Sequence, residues 1–567
     1  MNGRANSHPP PAWVVKRDGR LVPFEADKIS RSLFAATERL GRPDAFSARE
    51  LTDGIIHFLA VEADNATLHS QQIFDVVVKV VRELGQPALA EAFADFGRRR
   101  VRQGGEKTGG AAQRIEPRPV PPGLGPDLSD LDPQALAWRA SAAYGRDYSL
   151  REVFSRDLVA AQADGLLTLG GLDAPLELAG CVLARPAGMR LVEAVEQARR
   201  FAGVFVALDG PEYALTSATC DQAPADYARE LAFALRATGL RAVVNLNTAL
   251  PPPWADDLAE GPLFAGHGPA RRQSLLPGIA LGLLEHLILA GVGRGTVRVD
   301  WHLTAHDFAA DAEALLPRLA RWALEEADLT FSFDRPRRAV ALAEGLDRRH
   351  PALLLAVELH LPRLAGQPGL RGDPALFLHK LESLVRLALS AAAQKRAFLR
   401  RQSQDRPAFL LDQARLVAVP VGLEAVVRDV LGLGLCAGGA GLEFAHQILQ
   451  RIHQVLDTDG RACHLECCVD SAADFRADWP AAAVAGLTPW DPAARPRSQL
   501  KTAGALHGLA ERGTAAVLLE GEGLPNTDET VDLLRYAWQH TQVARLRLLR
   551  AGRPQRQLVA PWEEAAE

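Results

Sequence analysis

Lysine is scarce in this chain: seven of its 64 basic residues are lysine and the rest are arginine. Arginine therefore supplies positive charge in general, and a lysine marks a place suited to a compact ammonium. Methionine occurs twice and cysteine six times in 567 residues. The cysteines, at 181, 220, 436, 463, 467 and 468, form no regular framework and read as reduced thiols rather than disulfide staples. An excess of one charge is also lacking, with 64 basic residues against 69 acidic ones. That balance argues against duplex DNA or an anionic membrane surface as a broad electrostatic partner. No apolar run reaches the roughly 18 residues of a membrane-spanning helix, and the opening MNGRANSHPPPA has no apolar signal core. The expectation is a cytoplasmic protein without a membrane or nucleic-acid partner.

What is present falls into segments. Residues 1–11 are a polar, Pro-rich tail, and residues 12–102 carry a compact pattern of their own. Residues 103–134 are rich in Gly and Pro and read as an exposed linker. Residues 135–549 alternate amphipathic helical stretches with β-prone runs: GVFVAL, RAVVNL, TVRVDW, ALLLAVEL, RLVAVPV and AAVLLEG. Such alternation predicts an α/β domain with parallel strands buried on both faces. Residues 550–567 read as a tail.

In the first module, WVVKR and RLVPF flank Asp18-Gly19, a pair suited to a tight primed hairpin turn. Helices are predicted around Ile29, Leu33, Ala36 and Leu40; around Leu51, Ile55 and Phe58; around Ile73, Val77, Val80 and Leu84; and around Leu89, Phe93 and Phe96. Lys16 and Arg17 end the first strand, and Lys28 lies on the first helix. Convergent cations beside backbone amides suit a polyphosphate, although an isolated Lys-Arg pair is more often a solvated rim.

The motif around these residues favours the ligand site. VVKRDGRLVPFEADKI resembles the opening of the ATP-cone family, and FADFGRRR resembles that domain's aromatic-then-basic close. The resemblance implies that Val15, Lys16, Arg17 and Lys28 hold an adenine nucleotide, ATP or dATP, with or without Mg2+. It implies secondary roles for Ser70 and Arg100 on later helices, and a change of oligomeric state on binding.

The longer region resembles a degenerate anaerobic (class III, glycyl-radical) ribonucleotide reductase, which implies a large ten-stranded α/β barrel. AAQADGLLTLGGLDAPLELAGCVLA resembles the segment ending in that family's first active-site cysteine, placing Cys181 there, with Leu167-Thr168-Leu169 replacing a His-rich "HIHD" element. VELHLPRLAG resembles the "INLPR" strand and turn, with His360 in place of Asn. VPVGLEAVVRDVLG resembles a "VGLNEA" helix start, LECCVDSAADF resembles "TPAES", and RGTAAVLLEGEGLPNTDETVDLLRYAW resembles the barrel's last strand and helix. The departures bear on function. The radical-carrying cysteine should fall shortly before VELHLPRL, where the sequence reads DLTFSFDRPRRAVALAEGLDRRH; there is no cysteine between Cys220 and Cys436. An R-x-x-G-Y glycyl-radical loop and Cys-x-x-Cys zinc pairs are not found, the chain stopping about where both would begin.

Other clusters have structural readings beside functional ones. Cys463, His464, Cys467 and Cys468 offer soft ligands, but one cluster without a distant pair rarely closes a zinc site. Asp300, His302, His306 and Asp307 fit an acid/base or metal group, or a polar strand end with Thr304 as a cap. GLGLCAGGAG (432–441) follows a helix and reads as a Gly terminus rather than a phosphate loop. Asn245 and Asn247 fit a barrel mouth or a turn.

The expected protein is an ATP- or dATP-binding regulator or scaffold, a reductase-like pseudoenzyme without zinc or a radical cofactor. It would form a homo-oligomer or control a reductase or other protein partner. A divergent anaerobic ribonucleoside-triphosphate reductase and a nucleotide-dependent transcriptional regulator are the alternatives.

Overall fold

The computed structural model describes residues 12–16, 18–62, 67–103, 133–184, 195, 198, 200–216, 223–237, 241–249, 269–292, 297–309, 315–325, 329–336, 338–343, 345–402, 408–437, 439–470, 494–510, 512–519 and 526–550. Arg17, Cys220 and nearly all of the expected tails and linker lie outside these residues.

The N-terminal module is a three-stranded sheet with four helices. Strands β1 (Trp13–Val15) and β2 (Leu21–Pro23) form the antiparallel hairpin, and β3 (Thr67–His69), not read from the sequence, adds to β1 in parallel. The hairpin turn differs from the expected primed form, which needs positive φ at both central residues. Only Gly19 of the Asp18-Gly19 pair is left-handed (φ 81°), and Gly19 N donates to Lys16 O at 2.9 Å. Helices α1 (Ala26–Arg39), α2 (Ala45–Glu62), α3 (Ser70–Glu83) and α4 (Pro87–Gln103) follow. Ile29, Leu33 and Ala36 are buried on α1 at the helical period, as are Leu51 and Ile55 on α2. The period runs out at the ends: Leu40, Phe58 and Leu84 are exposed.

Next come α5 (Pro133–Tyr148), α6 (Arg156–Ala163) and the strands β4 (Leu167–Leu169) and β5 (Leu178–Ala184). The first half of the large sheet continues through β6 (Ala202–Asp209), α7 (Pro224–Ala237), β7 (Arg241–Asn247), α8 (Pro269–Leu289), β8 (Val297–Leu303), α9 (Leu315–Glu325) and β9 (Leu329–Phe333). A small hairpin of β10 (Ala341–Ala343) and β11 (Leu346–Asp347) intervenes. The second half comprises β12 (Ala352–His360), α10 (Leu361–Ala365), α11 (Pro374–Gln402), α12 (Ala408–Gln413), β13 (Arg415–Val421), α13 (Leu423–Leu431), α14 (Ala440–Ala462), β14 (Glu466–Val469), α15 (Pro496–Ala510), β15 (Thr514–Leu519), α16 (Thr527–His540) and β16 (Arg545–Arg550).

Among the described residues the large sheet runs β14-β13-β12-β5-β6-β7-β8-β9-β16-β15, with β4 paired to β12. Strands β5 to β9 are mutually parallel, as are β12 to β14 and β15 with β16. The seams β12/β5 and β9/β16 are antiparallel. Five of these ten strands thus run one way and five the other, in accord with the expected ten-stranded barrel. Strand β16 extends it by one strand beyond the AAVLLEG segment read as the last.

Helices cover the outer face, where Trp301 and Phe331 are fully buried; each such aromatic contributes about 2–3 kcal/mol through burial. The β10–β11 hairpin lies on the inner face, where Leu342, Ala343 and Leu346 pack against Phe205, Val243, Val417 and Val419. The helices of the N-terminal module and the large α/β domain share one continuous apolar core, which joins Leu33 and Ile55 to Leu381, Leu384 and Leu169.

Candidate functional site

The sequence-derived nucleotide residues fall on the three-stranded sheet and its flanking helices. Parallel pairing sets Val15 opposite His69, so Ser70, the first residue of α3, stands beside the Val15–Lys16 strand end. Lys16 N donates to Arg20 O at 2.8 Å, closing the hairpin. Lys28 occupies the first turn of α1, at the opposite end of β2; its half-exposed ammonium pairs with Glu25 at 2.6 Å. Arg100 lies in the last turns of α4.

The barrel interior holds a second set of groups. Alternation along β7 and β8 turns Asn245, Asn247, Arg298, Asp300 and His302 inward, while Val244, Leu246, Val299 and Trp301 face the outer helices. Asn245 and Asn247 therefore line the barrel rather than a turn. His302 shares one hydrogen bond with Asp334 at 2.9 Å and another with Asn245 at 3.0 Å. Burial lowers its pKa, but the charge and hydrogen bond of Asp334 prevail and hold it above the ordinary value. Arg348 donates to both Asp209 oxygens (2.8 and 3.1 Å) and to Asn247 Oδ1. Glu212 accepts from Asn247 N and Nδ2 through Oε1, while its buried Oε2 has no partner among the described residues. Burial pushes this carboxyl up to about 8, so it is protonated at neutral pH.

Asp307 belongs to a cap instead: its Oδ2 accepts from Thr304 N, Thr304 Oγ1 and Thr248 Oγ1. Gly432 likewise ends α13 in a left-handed conformation (φ 72°), the Gly terminus read for that segment.

A lattice of charge braces the other interior strands. Asp347 binds Arg415 and Arg512, drawing the β13 side toward the β15 side. Asp300 takes Arg298 at 2.8 Å, and Arg545 lies between Asp300 and Asp470 at 3.8 and 3.6 Å. The hairpin tip is held by the same groups: Gly345 N donates to Asp470 and Arg415 donates to Gly345 O.

The thiols are distributed differently from the sequence expectation. A register shift between Leu178 and Gly180 turns Gly180 toward Phe205 and Cys181 away from the hairpin. Cys181 packs with Ala198, Ala202 and Val206 on the outer side, and burial pushes its thiol up to about 12. Cys467 faces the outer core, whereas Cys468 reaches the hairpin; a Cβ on Gly345 would stand 3.3 Å from its Sγ. Burial raises the Cys468 pKa against the pull of Arg512 and Arg415. No group of three or more His, Cys, Asp or Glu suited to a metal occurs among the described residues. No helix among them is long and apolar enough to cross a membrane.

This architecture has known counterparts. Residues 13–100 match the ATP cone domain family. The anaerobic ribonucleotide reductase of Thermotoga maritima in complex with dATP and CTP superimposes with a TM-score of 0.55 at 12% identity, over 74% of this chain and 84% of that one. The same enzyme with dATP in its specificity site gives 0.54 at 12% identity, over 74% and 85%. Another anaerobic ribonucleotide reductase gives 0.53 at 14% identity, over 74% and 79%. A comparison with curated proteins returned no match. The chain therefore has an ATP-cone domain at its N-terminus and an anaerobic ribonucleotide reductase fold over most of its length.

Proposed function

We propose that this protein is a nucleotide-responsive regulator or scaffold whose reductase-like barrel does not perform radical reduction. In this reading residues 12–102 act as the sensor domain. ATP or dATP, with or without Mg2+, is held by Val15, Lys16, Arg17 and Lys28, with contributions from Ser70 and Arg100. Occupancy shifts oligomeric state or a contact with a protein partner in the cytoplasm. The observation that carries the reading is the β10–β11 hairpin, which sits inside the barrel shortly before β12. A cysteine is needed there to abstract hydrogen from a ribose, yet the segment reads ALAEGLD. Cys181, the other expected thiol, faces outward. Calorimetric titration of ATP and dATP with mass measured in parallel tests the reading. Binding should be saturable, accompanied by a change of mass, and abolished by Lys16→Ala with Lys28→Ala.

Cys468 favours a second reading, a divergent anaerobic reductase, because its thiol reaches the hairpin from β14. Anaerobic turnover of ribonucleoside triphosphates distinguishes the two. Deoxynucleotide formed by the wild type and lost in Cys468→Ser supports the enzyme and ends the regulatory reading.

A further inference from the structure

The ATP cone is fastened to the barrel by a buried charge network that begins next to the proposed nucleotide site. Arg49 of α2 is buried between Asp27 of α1 (2.7 Å) and Asp53 (3.2 Å). Both carboxylates reach across to α11: Ser390 Oγ donates to Asp27 Oδ2 at 2.6 Å, and Ser383 Oγ donates to Asp53 Oδ2 at 2.7 Å. Arg386 of α11 pairs with Asp53 at 3.1 Å and passes the network on to Asp459 and Glu382. Glu382 in turn holds Arg451, and Lys380 holds Glu50 at the rim. Arg31 stands 3.9 Å from Asp27 on the same helix. Despite its burial, Arg49 keeps a pKa above the ordinary arginine value through Asp53 and Asp27. Such a network tolerates little displacement, because a carboxylate that loses its guanidinium in a buried site becomes an uncompensated charge.

Asp27 and Lys28 are neighbours in the first turn of α1. They point to different tasks: the Lys28 ammonium is half exposed and pairs with Glu25 on the same helical turn, while Asp27 enters the interface. A phosphate that draws Lys28 from Glu25 at the start of α1 pulls on the same helical turn that carries Asp27. We infer that Asp27 relays nucleotide occupancy to the barrel: capture of phosphate by Lys28 loosens the grip of Asp27 on Arg49 and Ser390 and so loosens the cone on α11. This relay rests on the reading of the cone as a nucleotide site. Linkage makes it reciprocal: if nucleotide loosens the docked cone, weakening the dock must tighten nucleotide binding.

The test uses the full chain and a variant on the barrel side, at a residue outside the set assigned to the nucleotide. Ser390→Ala removes one hydrogen bond to Asp27 and should tighten ATP binding about five-fold, the equivalent of one hydrogen bond. Asp27→Asn should tighten it further. In the wild type, ATP should speed amide exchange in residues 374–402. Nucleotide that binds the wild type and Ser390→Ala with equal affinity, without faster exchange in 374–402, overturns the relay and leaves the nucleotide site standing. Failure of the wild type to bind ATP or dATP overturns the site and the relay together. Should Asp27→Asn fail to fold, Ser383→Ala supplies a second barrel-side variant with the same expected direction.

Discussion

Thr168 Oγ1 and His360 Nε2 stand 2.7 Å apart, joined across the antiparallel β4/β12 pair in which Thr168 is one residue out of register from Leu359 and opposite Glu358. Both positions are departures from the reductase motifs that the surrounding segments resemble, Thr168 within a lost His-rich element and His360 in place of Asn. The two positions meet across the β4/β12 pair. A double-mutant cycle with Thr168→Val and His360→Ala, read by chemical denaturation, should show a coupling of about 0.5–1 kcal/mol. Strictly additive effects would mean that the contact carries no energy.

Asp347 is the keystone of the interior charge lattice, accepting from Arg512, Arg415 and His350 and from the backbone of Arg349 and His350. Asp347→Asn leaves two buried guanidinium groups without their carboxylate. The expected loss is about 3–5 kcal/mol of stability, visible as a lower denaturant midpoint. A loss below 1 kcal/mol would show that water or neighbouring aspartates replace it.

Glu212 gives a pH signature. Its carboxyl is raised from 4.5 to about 8 in the folded protein by burial, so the folded state binds a proton that the unfolded chain releases above pH 4.5. Stability should therefore be greatest below about pH 4.5 with respect to this group and fall as pH rises to about 8. Glu212→Gln keeps the acceptor for Asn247 and should flatten this part of the stability profile. An unchanged slope in Glu212→Gln would assign the dependence to another group.

Gly513 has φ 132°, and a Cβ there would come within 2.4 Å of His507 Nε2. Gly513→Ala should cost about 2–3 kcal/mol through overpacking and backbone strain. His507 is itself buried and held neutral, its pKa lowered to about 3 by burial first and Arg545 second. It stabilises the fold fully above about pH 6.5, and that contribution declines as the pH falls toward 3. Thermal melts of wild type and His507→Asn across this range should converge at the acid end.

The sequence disclosed most of the cone because its helices are amphipathic and its turn carries Asp-Gly; three-residue β3 was too short to show a period. In the barrel, the runs rich in Val, Leu and Ala were legible, since strands buried on both faces are nearly continuous apolar text. Strand β16, RLRLLR, was hidden by its charges: Arg545 and Arg547 are buried, and the acids facing Arg545 lie on distant segments. Cys181 was misplaced for a local reason. One irregularity between Leu178 and Gly180 exchanges inner and outer faces, and a one-residue slip moves every later side chain. The interior polar set was half visible, as Asn245, Asn247, Asp300 and His302. Glu212 and Arg348 were not, because each acquires meaning only from partners on other strands.

The continuous core that runs from Leu33 and Ile55 into Leu381 and Leu384 makes the cone a poor candidate for transplantation. A sensor tethered by a linker alone could be cut away or grafted onto another enzyme with little penalty. Here excision would strip apolar cover from α6 and α11 and strand Arg386 without Asp53. Substitutions on facing positions of α2 and α11 are therefore expected to be energetically coupled rather than additive.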